Sequence, residues 1–318
     1  MKKLLAIGEA IIDMIPEQVG VGIAEVEKFQ PTVGGAPANV CGAFVKLGGV
    51  AEIITQLGQD SFGDKILSEF HRFHIGTACI SRTEKANTAL AFVALKEDGD
   101  REFSFYRKPS ADMLLGTEAI QKEWFQSAYA LHFCSVSLGP FPMKKAHYQA
   151  IEYAQSQGLL ISFDPNLRKQ LWNSEEDLYH AVHEFIPKAH ILKITDDELE
   201  FLTGKTKIQE AKEQLFVGNV EMIVYTKGAE GAECYTKKAA AFAPCEKVKA
   251  IDTTGAGDGF IGSFLYQLYQ SQISANNLAE VTQEQLTEFL TFSNRFCSYS
   301  VQRKGAIASY PKKENFCL

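Results

Sequence analysis

Ile251-Asp252-Thr253-Thr254-Gly255-Ala256-Gly257-Asp258-Gly259-Phe260 reads as a glycine-rich turn running into a helix. An apolar-leaning run, Val248 to Ile251, precedes it, and after Phe260 apolar residues recur at Ile261, Phe264, Leu265 and Leu268, which is helical spacing. The glycines at 255, 257 and 259 leave the backbone bare where the helix begins. Unpaired N–H groups and the positive end of the helix dipole gather at such a point and make an anion site. Asp258 is out of place there, because a carboxylate repels an anion. Taking a proton from a nucleophile that attacks the bound anion gives it a reason to be present. The turn is not a Walker A loop, since G-x-x-x-x-G-K-[ST] is absent. Nor is it a dinucleotide fingerprint, because its third glycine is misplaced and it lies late in the chain. Spacing alone leaves a plain tight turn and a phosphate site both open.

Upstream, strands alternate with helices. Leu4 to Gly8 reads as a buried strand with Glu9 and Asp13 at its C-terminal end. Gly34 and Gly35 precede a helix bearing Cys41, Phe44 and Val45. Ser61-Phe62-Gly63-Asp64 reads as a capping box with Asp in the Glu position. The helix it opens carries Phe62, Ile66, Leu67, Phe70 and Phe73 on a core-facing side. Ala89 to Leu95 and Glu102 to Arg107 form a β-hairpin across the turn Glu97-Asp98-Gly99-Asp100. Strands follow at Ala128 to Phe133, Leu159 to Phe163, Ile191 to Ile194 and Glu221 to Thr226, with a helix over Lys144 to Gln157. Polar clusters close the later strands: Asp164-Pro165-Asn166-Leu167-Arg168, Thr195-Asp196-Asp197-Glu198 and Lys227-Gly228. Strands separated by helices imply parallel βαβ units, and their C-terminal ends converge on one edge where a ligand binds.

Composition sets the bounds. A chain of 318 residues can bury a large core, and 46% hydrophobic with 22% charged residues is ordinary for a globular protein. A net charge of −7 argues against nucleic acid as the main partner. No apolar run approaches a membrane span, and Glu9 and Asp13 interrupt the signal-like start Met1-Lys2-Lys3-Leu4-Leu5-Ala6-Ile7 too soon. The seven scattered cysteines, with no C-x-x-C pair, point to reduced thiols and a cytoplasmic location, and argue against a disulfide framework or a zinc site. No repeat, low-complexity tract or linker interrupts the chain.

The whole string from Asp252 to Phe260 resembles the C-terminal signature of the PfkB, or ribokinase-like, carbohydrate kinases. Gly34-Gly35-Ala36-Pro37-Ala38-Asn39, followed by Gly48 and Gly58, resembles that family's N-terminal signature. Cys41 stands where the family has Ser, Thr or Ala, one small residue for another. The run Phe105-Tyr106-Arg107 with Pro109-Ser110-Ala111-Asp112 resembles fructokinases within the family. The resemblance implies a three-layer α/β/α fold with a mainly parallel central sheet. It implies one kinase domain over residues 1–318, with a β lid from segments near 10–33 and 87–110. The lid would also form a homodimer contact.

The resemblance also assigns roles. Sugar would be held by Asp13, Gly34, Gly35, Asn39 and Arg107, with Asp258 taking the hydroxyl proton. The amides of Gly255, Ala256 and Gly257 would stabilise the γ-phosphoryl group, with Arg168 beside it. ATP would lie against Lys193, Glu198, Thr226, Lys227, Gly228, Gly231 and Asn294. Glu198 answers to the acid of the family's Asn-x-x-Glu motif and would organise Mg²⁺, often through water, although Thr195 replaces the Asn. K⁺, seen in several family members, would sit near Asp252, Thr254, Gly305 and Ser309. The implied activity is phosphorylation of a sugar hydroxyl by ATP, with fructose and its C6 hydroxyl as the leading acceptor. The alternatives on the same scaffold are a 2-keto-3-deoxygluconate kinase, another sugar or nucleoside kinase, and a catalytically inactive sugar-binding regulator.

Overall fold

Leu4, Leu5, Ala6 and Ile7 are all wholly buried, which a strand covered on both faces requires. The computed structural model describes residues 2–18, 20–95 and 101–316; the turn expected at Glu97–Asp100 lies outside them. In chain order the elements begin with β1 (Lys3–Ile7), β2 (Ile11–Pro16), β3 (Phe29–Gly34), α1 (Ala36–Lys46), β4 (Ala51–Gly58), α2 (Ser61–Arg72) and β5 (Ile80–Thr83). They continue with β6 (Leu90–Leu95), β7 (Arg101–Tyr106), α3 (Glu123–Gln126), β8 (Ala128–Cys134), α4 (Pro142–Ser156), β9 (Leu160–Asp164) and α5 (Glu175–Phe185). The rest are β10 (Ile191–Thr195), α6 (Asp196–Thr203), α7 (Ile208–Leu215), β11 (Met222–Thr226), β12 (Ala232–Thr236), β13 (Ala240–Ala243), α8 (Ala256–Gln270) and α9 (Gln283–Ser300).

Nine strands form one sheet in the order β13-β12-β11-β10-β9-β8-β1-β4-β5. From β11 through β5 every neighbouring pair is parallel, while β12 and β13 add an antiparallel edge. Alternate residues of β1 enter different cores. Leu4 and Ala6 pack with α1, α2, α8 and α9, whereas Leu5 and Ile7 pack with α4, α5, α6 and α7. That is a three-layer arrangement. The chain starts at β1 in mid-sheet, runs outward through β4 and β5, then returns to β8 on β1's other side. The sheet order reverses between β1 and β8, and open α/β sheets bind ligands at the C-terminal ends of such strands.

A second sheet, β3-β2-β6-β7, stands beside this edge. β2 pairs antiparallel with β3 and parallel with β6, and β6 pairs antiparallel with β7. Phe103 and Phe105 stack on one face of β7 as their alternation requires, with centroids 5.7 Å apart. One local expectation changes. The start of α2 is not a box on Ser61; Asp60 is the cap, accepting from the Phe62 and Gly63 amides at 3.1 and 2.8 Å. Asp64 instead pairs with Arg82 at 2.9 Å. Val248 to Ile251 pairs with no strand, and Ile251 is 61% exposed.

Candidate active site

Two helix N-termini meet over the sheet edge. At the first, Gly35 has φ +105°, and a Cβ there would stand 2.4 Å from the Glu9 carbonyl. Only glycine lets α1 start this close to the end of β1. Asn39, in the opening turns of α1, is 4% exposed. Its Nδ2 donates to Asp258 Oδ2 at 2.9 Å, while its Oδ1 is buried without a partner. A buried acceptor lacking a donor costs about 1–3 kcal/mol, so a ligand hydroxyl there is favoured. The Asp13 carboxylate lies against Gly34, where a Cβ would sit 2.0 Å from Oδ2. Burial pushes the Asp13 carboxyl up to about 7; Glu9 and Asp258 add to the rise and Arg168 opposes it.

At the second N-terminus, Gly255 caps α8 with φ +72° and no side-chain cap. The first amides of α8 therefore have no carbonyl one turn back. Ala256 N–H is an exception, because it donates to the Thr253 carbonyl at 3.1 Å. Of the expected anion-binding amides, Ala256's is thus turned back into the turn itself. Asp258 is 9% exposed. Burial raises its pKa, while the Asn39 hydrogen bond, Arg168 and Lys193 oppose the rise. Asn166 Nδ2 donates to the other oxygen, Oδ1, at 3.3 Å.

Lys193 rises from β10 to the same place. It is 3% exposed, and its Nζ lies 3.3 Å from where a Gly257 Cβ would stand. Asp164, at the end of β9, pairs with it at 3.0 Å. Burial pulls the ammonium's pKa down, but Asp164, Glu198 and Asp258 more than offset this and hold it above its ordinary value. The cation therefore stays charged beside the α8 N-terminus. Arg168 faces both Asp13 and Asp258 electrostatically and donates to the Leu167 carbonyl at 3.0 Å.

The remaining expected residues lie on neighbouring segments. Glu198 is 6% exposed and caps α6 in a box with Thr195. Its two oxygens accept from the Leu167 and Thr195 amides, each at 2.9 Å. Thr226, Lys227, Gly228 and Gly231 make the β11–β12 turn, with both glycines at positive φ and Lys227 paired to Glu233 at 2.9 Å. Asn294 is spent on the backbone, donating to the Ala243 carbonyl at 2.8 Å and so tying α9 to the end of β13. Asp252 accepts from the Thr254 amide and hydroxyl at 2.9 and 2.6 Å and from the Gly305 amide at 2.9 Å. Ser309 Oγ donates to the Ala306 carbonyl at 2.8 Å.

Arg107 does not project into the centre. Its Nε and one terminal nitrogen donate to Asp112 at 2.9 and 2.5 Å, and the other terminal nitrogen donates to the Val136 carbonyl at 3.1 Å. Ser137 Oγ links this pair to Glu9, donating to Oε2 at 3.1 Å, and Glu9 accepts the Ala36 amide at 3.2 Å. Beside it runs a groove of about 550 Å³ lined by Phe103, Phe105, Arg107, Val136, Phe141 and Trp172.

Sequence reasoning missed Tyr310, whose hydroxyl donates to the Gly255 carbonyl at 2.6 Å and helps to fix the cap of α8. A lone aromatic far from either glycine motif carries no sequence signal. It also gave no role to Asp164 or Asn166, although both lie in a cluster that the strand-end pattern had marked.

The family described as pfkB family carbohydrate kinase matches residues 1–313. Fructokinase-2 of Solanum lycopersicum is 39% identical over 309 residues, covering 97% of this chain and 93% of that protein. A fructokinase of Xylella fastidiosa, solved with bound ATP, superposes with a TM-score of 0.88 at 33% identity, over 98% of this chain and 96% of that one. A fructokinase double mutant of Vibrio cholerae O395, solved with fructose, ADP and potassium ion, gives a TM-score of 0.86 at 30% identity, over 99% and 96% of the two chains.

Proposed function

The chain belongs to the pfkB family of carbohydrate kinases, and from that premise we propose that it is a fructokinase moving the γ-phosphoryl group of ATP to the C6 hydroxyl of fructose. The fold is ribokinase-like, and the reading treats the chain as one kinase domain with a β lid. One observation carries the chemistry: a buried carboxylate, Asp258, sits in the first turn of α8 beside a buried cation, Lys193. Sugar hydroxyls are taken by Asp13 and by the unpartnered Asn39 Oδ1, with the Gly34 and Gly35 backbone close enough to line the same wall. Asp258 receives the acceptor proton. The Gly255 and Gly257 end of α8, Lys193 and Arg168 stabilise charge on the phosphoryl group, the kind of fixed electrostatics that dominates this reaction class.

ATP occupies the edge from Lys193 to the β11–β12 turn in this reading, near Asn294. Among the described residues, no group of three or more His, Cys, Asp or Glu side chains is placed to hold a metal. In this reading Mg²⁺ would keep several waters and be carried largely by substrate phosphates, with the buried Glu198 carboxylate ordering one of those waters. When bound, it neutralises phosphate charge. Asp252 brings the 252–254 turn against Gly305, which supports K⁺ bound by backbone and hydroxyl oxygens there, including Ser309. Replacing K⁺ by Na⁺ in the assay tests that element.

The Vibrio relative's fructose and the Xylella relative's ATP support the substrate pair. Tyr106, 65% exposed on the lid beside Phe92, supports a homodimer through the lid, and sedimentation of a Tyr106→Lys variant tests it. No helix among the described residues is long and apolar enough to cross a membrane. A cytoplasmic location is supported by six free cysteines among the described residues, and cell fractionation tests it. The deciding experiment is coupled ADP release over fructose, ribose, 2-keto-3-deoxygluconate, tagatose 6-phosphate and fructose 6-phosphate. Fructose should give the highest kcat/KM, and another winner overturns the substrate.

A further inference from the structure

We propose that Asp164 is a positioning residue whose single buried carboxylate holds the sugar-side base and the phosphate-side cation in one frame. The inference rests on the kinase reading above and deepens it.

Asp164 is 1% exposed at the end of β9. Its two oxygens have different partners. Oδ2 pairs with Lys193 Nζ at 3.0 Å, and that ammonium stands over Gly257 at the start of α8. Oδ1 accepts the Asn166 amide at 3.1 Å. Asn166 has φ +43°, a left-handed conformation that costs a non-glycine residue free energy and that Asn adopts more readily than most, and the bond from its backbone N–H to Asp164 holds it there. The bend aims Asn166 Nδ2 at Asp258 Oδ1, at 3.3 Å. Asn39 already holds Oδ2 at 2.9 Å. The base is thus fixed from both sides, once from α1 and once through Asp164. The two arms reach the two reacting halves of the site from one carboxylate.

The arms give separable kinetic signatures. Asn166→Gly keeps the left-handed backbone accessible and removes only the arm to Asp258. It should lower kcat for fructose by up to about 10²-fold, as a misplacement on the order of 1 Å does, with KM for ATP unchanged. Asp164→Asn keeps an acceptor for the Asn166 amide and removes the charge that holds Lys193. It should raise KM for ATP by about tenfold or more and lower kcat as well. A merely structural role would lower the yield or melting temperature and leave both constants of the folded fraction unchanged. Calorimetric titration with ATP reads the second arm without turnover, and equal affinity of Asp164→Asn and wild type overturns the proposal. So does an Asn166→Gly enzyme with kcat within about twofold of wild type. Wild type assayed in parallel separates the two failures: no wild-type turnover on any sugar sinks the kinase reading, whereas normal wild-type turnover with unaffected variants sinks only the role of Asp164.

Discussion

Asn39 Nδ2 donates to Asp258 Oδ2 across 2.9 Å, joining the first turns of two helices 219 residues apart in sequence. The two glycine motifs thereby become one site. Asn39 presents a donor to the base and leaves its own oxygen, which has no partner in the protein, for a ligand hydroxyl. Removing the base should stop chemistry without emptying the pocket. Asp258→Asn is expected to lower kcat by about 10²–10⁴-fold with little change in fructose or ATP binding. Steady-state rates with calorimetric binding check it, and near-normal kcat would falsify the assignment.

How far the sequence carried this depends on what each feature needs. The two glycine motifs are local: a bare backbone at a helix start is written in consecutive residues, so Gly34, Gly35, Gly255 and Gly257 were legible. Strand ends are local too, which is why Asp164, Arg168 and Glu198 drew notice; Asp13, expected at the end of the first strand, lies instead within β2 of the second sheet, paired with Thr32 and Ala91. Partners were not legible. Nothing in the spacing says that Asp112 closes on Arg107, that Tyr310 reaches the Gly255 carbonyl, or that Asn294 is spent on the Ala243 carbonyl. These depend on packing between elements far apart in sequence. The cap of α2 shows the same limit at short range. Asp60 and Ser61 both suit the position, and the tie is broken by Asp60 Oδ2, which accepts the Thr88 amide at 2.7 Å from another segment.

Asp13 should show both a binding and a stability effect. In an unfolded chain its carboxyl ionises near its ordinary value of 3.8, whereas in the fold burial pushes it up to about 7. Between those values the folded protein holds a proton that the unfolded chain lacks. The stability this confers is present at low pH and is lost as pH rises through that window. Asp13→Asn removes the buried charge, so without ligand it should melt above wild type at about pH 8, with the gap closing towards about pH 4. It should also raise KM for fructose far more than KM for ATP, since a hydrogen bond to a charged group contributes roughly 1.5–3 kcal/mol. Thermal melts across pH and paired KM values decide both; a melting gap that widens on acidification contradicts the sign.

The Arg107–Asp112 pair should matter for folding more than for turnover. Their side chains are 5% and 1% exposed. Asp112→Ala leaves a buried guanidinium uncompensated and should cost about 3–5 kcal/mol, read from urea unfolding. Replacing both by apolar residues of similar volume should recover most of that loss. A single variant as stable as wild type would show the pair to be solvated in solution.

Fructose is expected to be preferred over 2-keto-3-deoxygluconate, and the same pair supplies the reason. An aldonic acid needs a desolvated cation for its carboxylate. Arg107 is the buried cation beside the groove, but two of its nitrogens are already bonded to Asp112 and a third to the Val136 carbonyl. Recruiting it means breaking a buried ion pair. On the other side of the site, Asp13 and Asp258 present carboxylates, which accept hydroxyl protons and repel an acid. A neutral ketohexose meets acceptors it can satisfy, whereas the acid meets two like charges and a cation already engaged. An unmatched buried polar group costs about 1–3 kcal/mol, or more when charged, which corresponds to about tenfold or more in kcat/KM. Arg168 is the remaining cation that faces both carboxylates. If the acid is preferred at equal ATP and Mg²⁺, Arg168 is its carboxylate ligand and Arg168→Gln should restore the preference for fructose. That outcome would change the acceptor while leaving Asp258 as the base, because Asn39 and Asn166, not Arg168, hydrogen-bond its two oxygens.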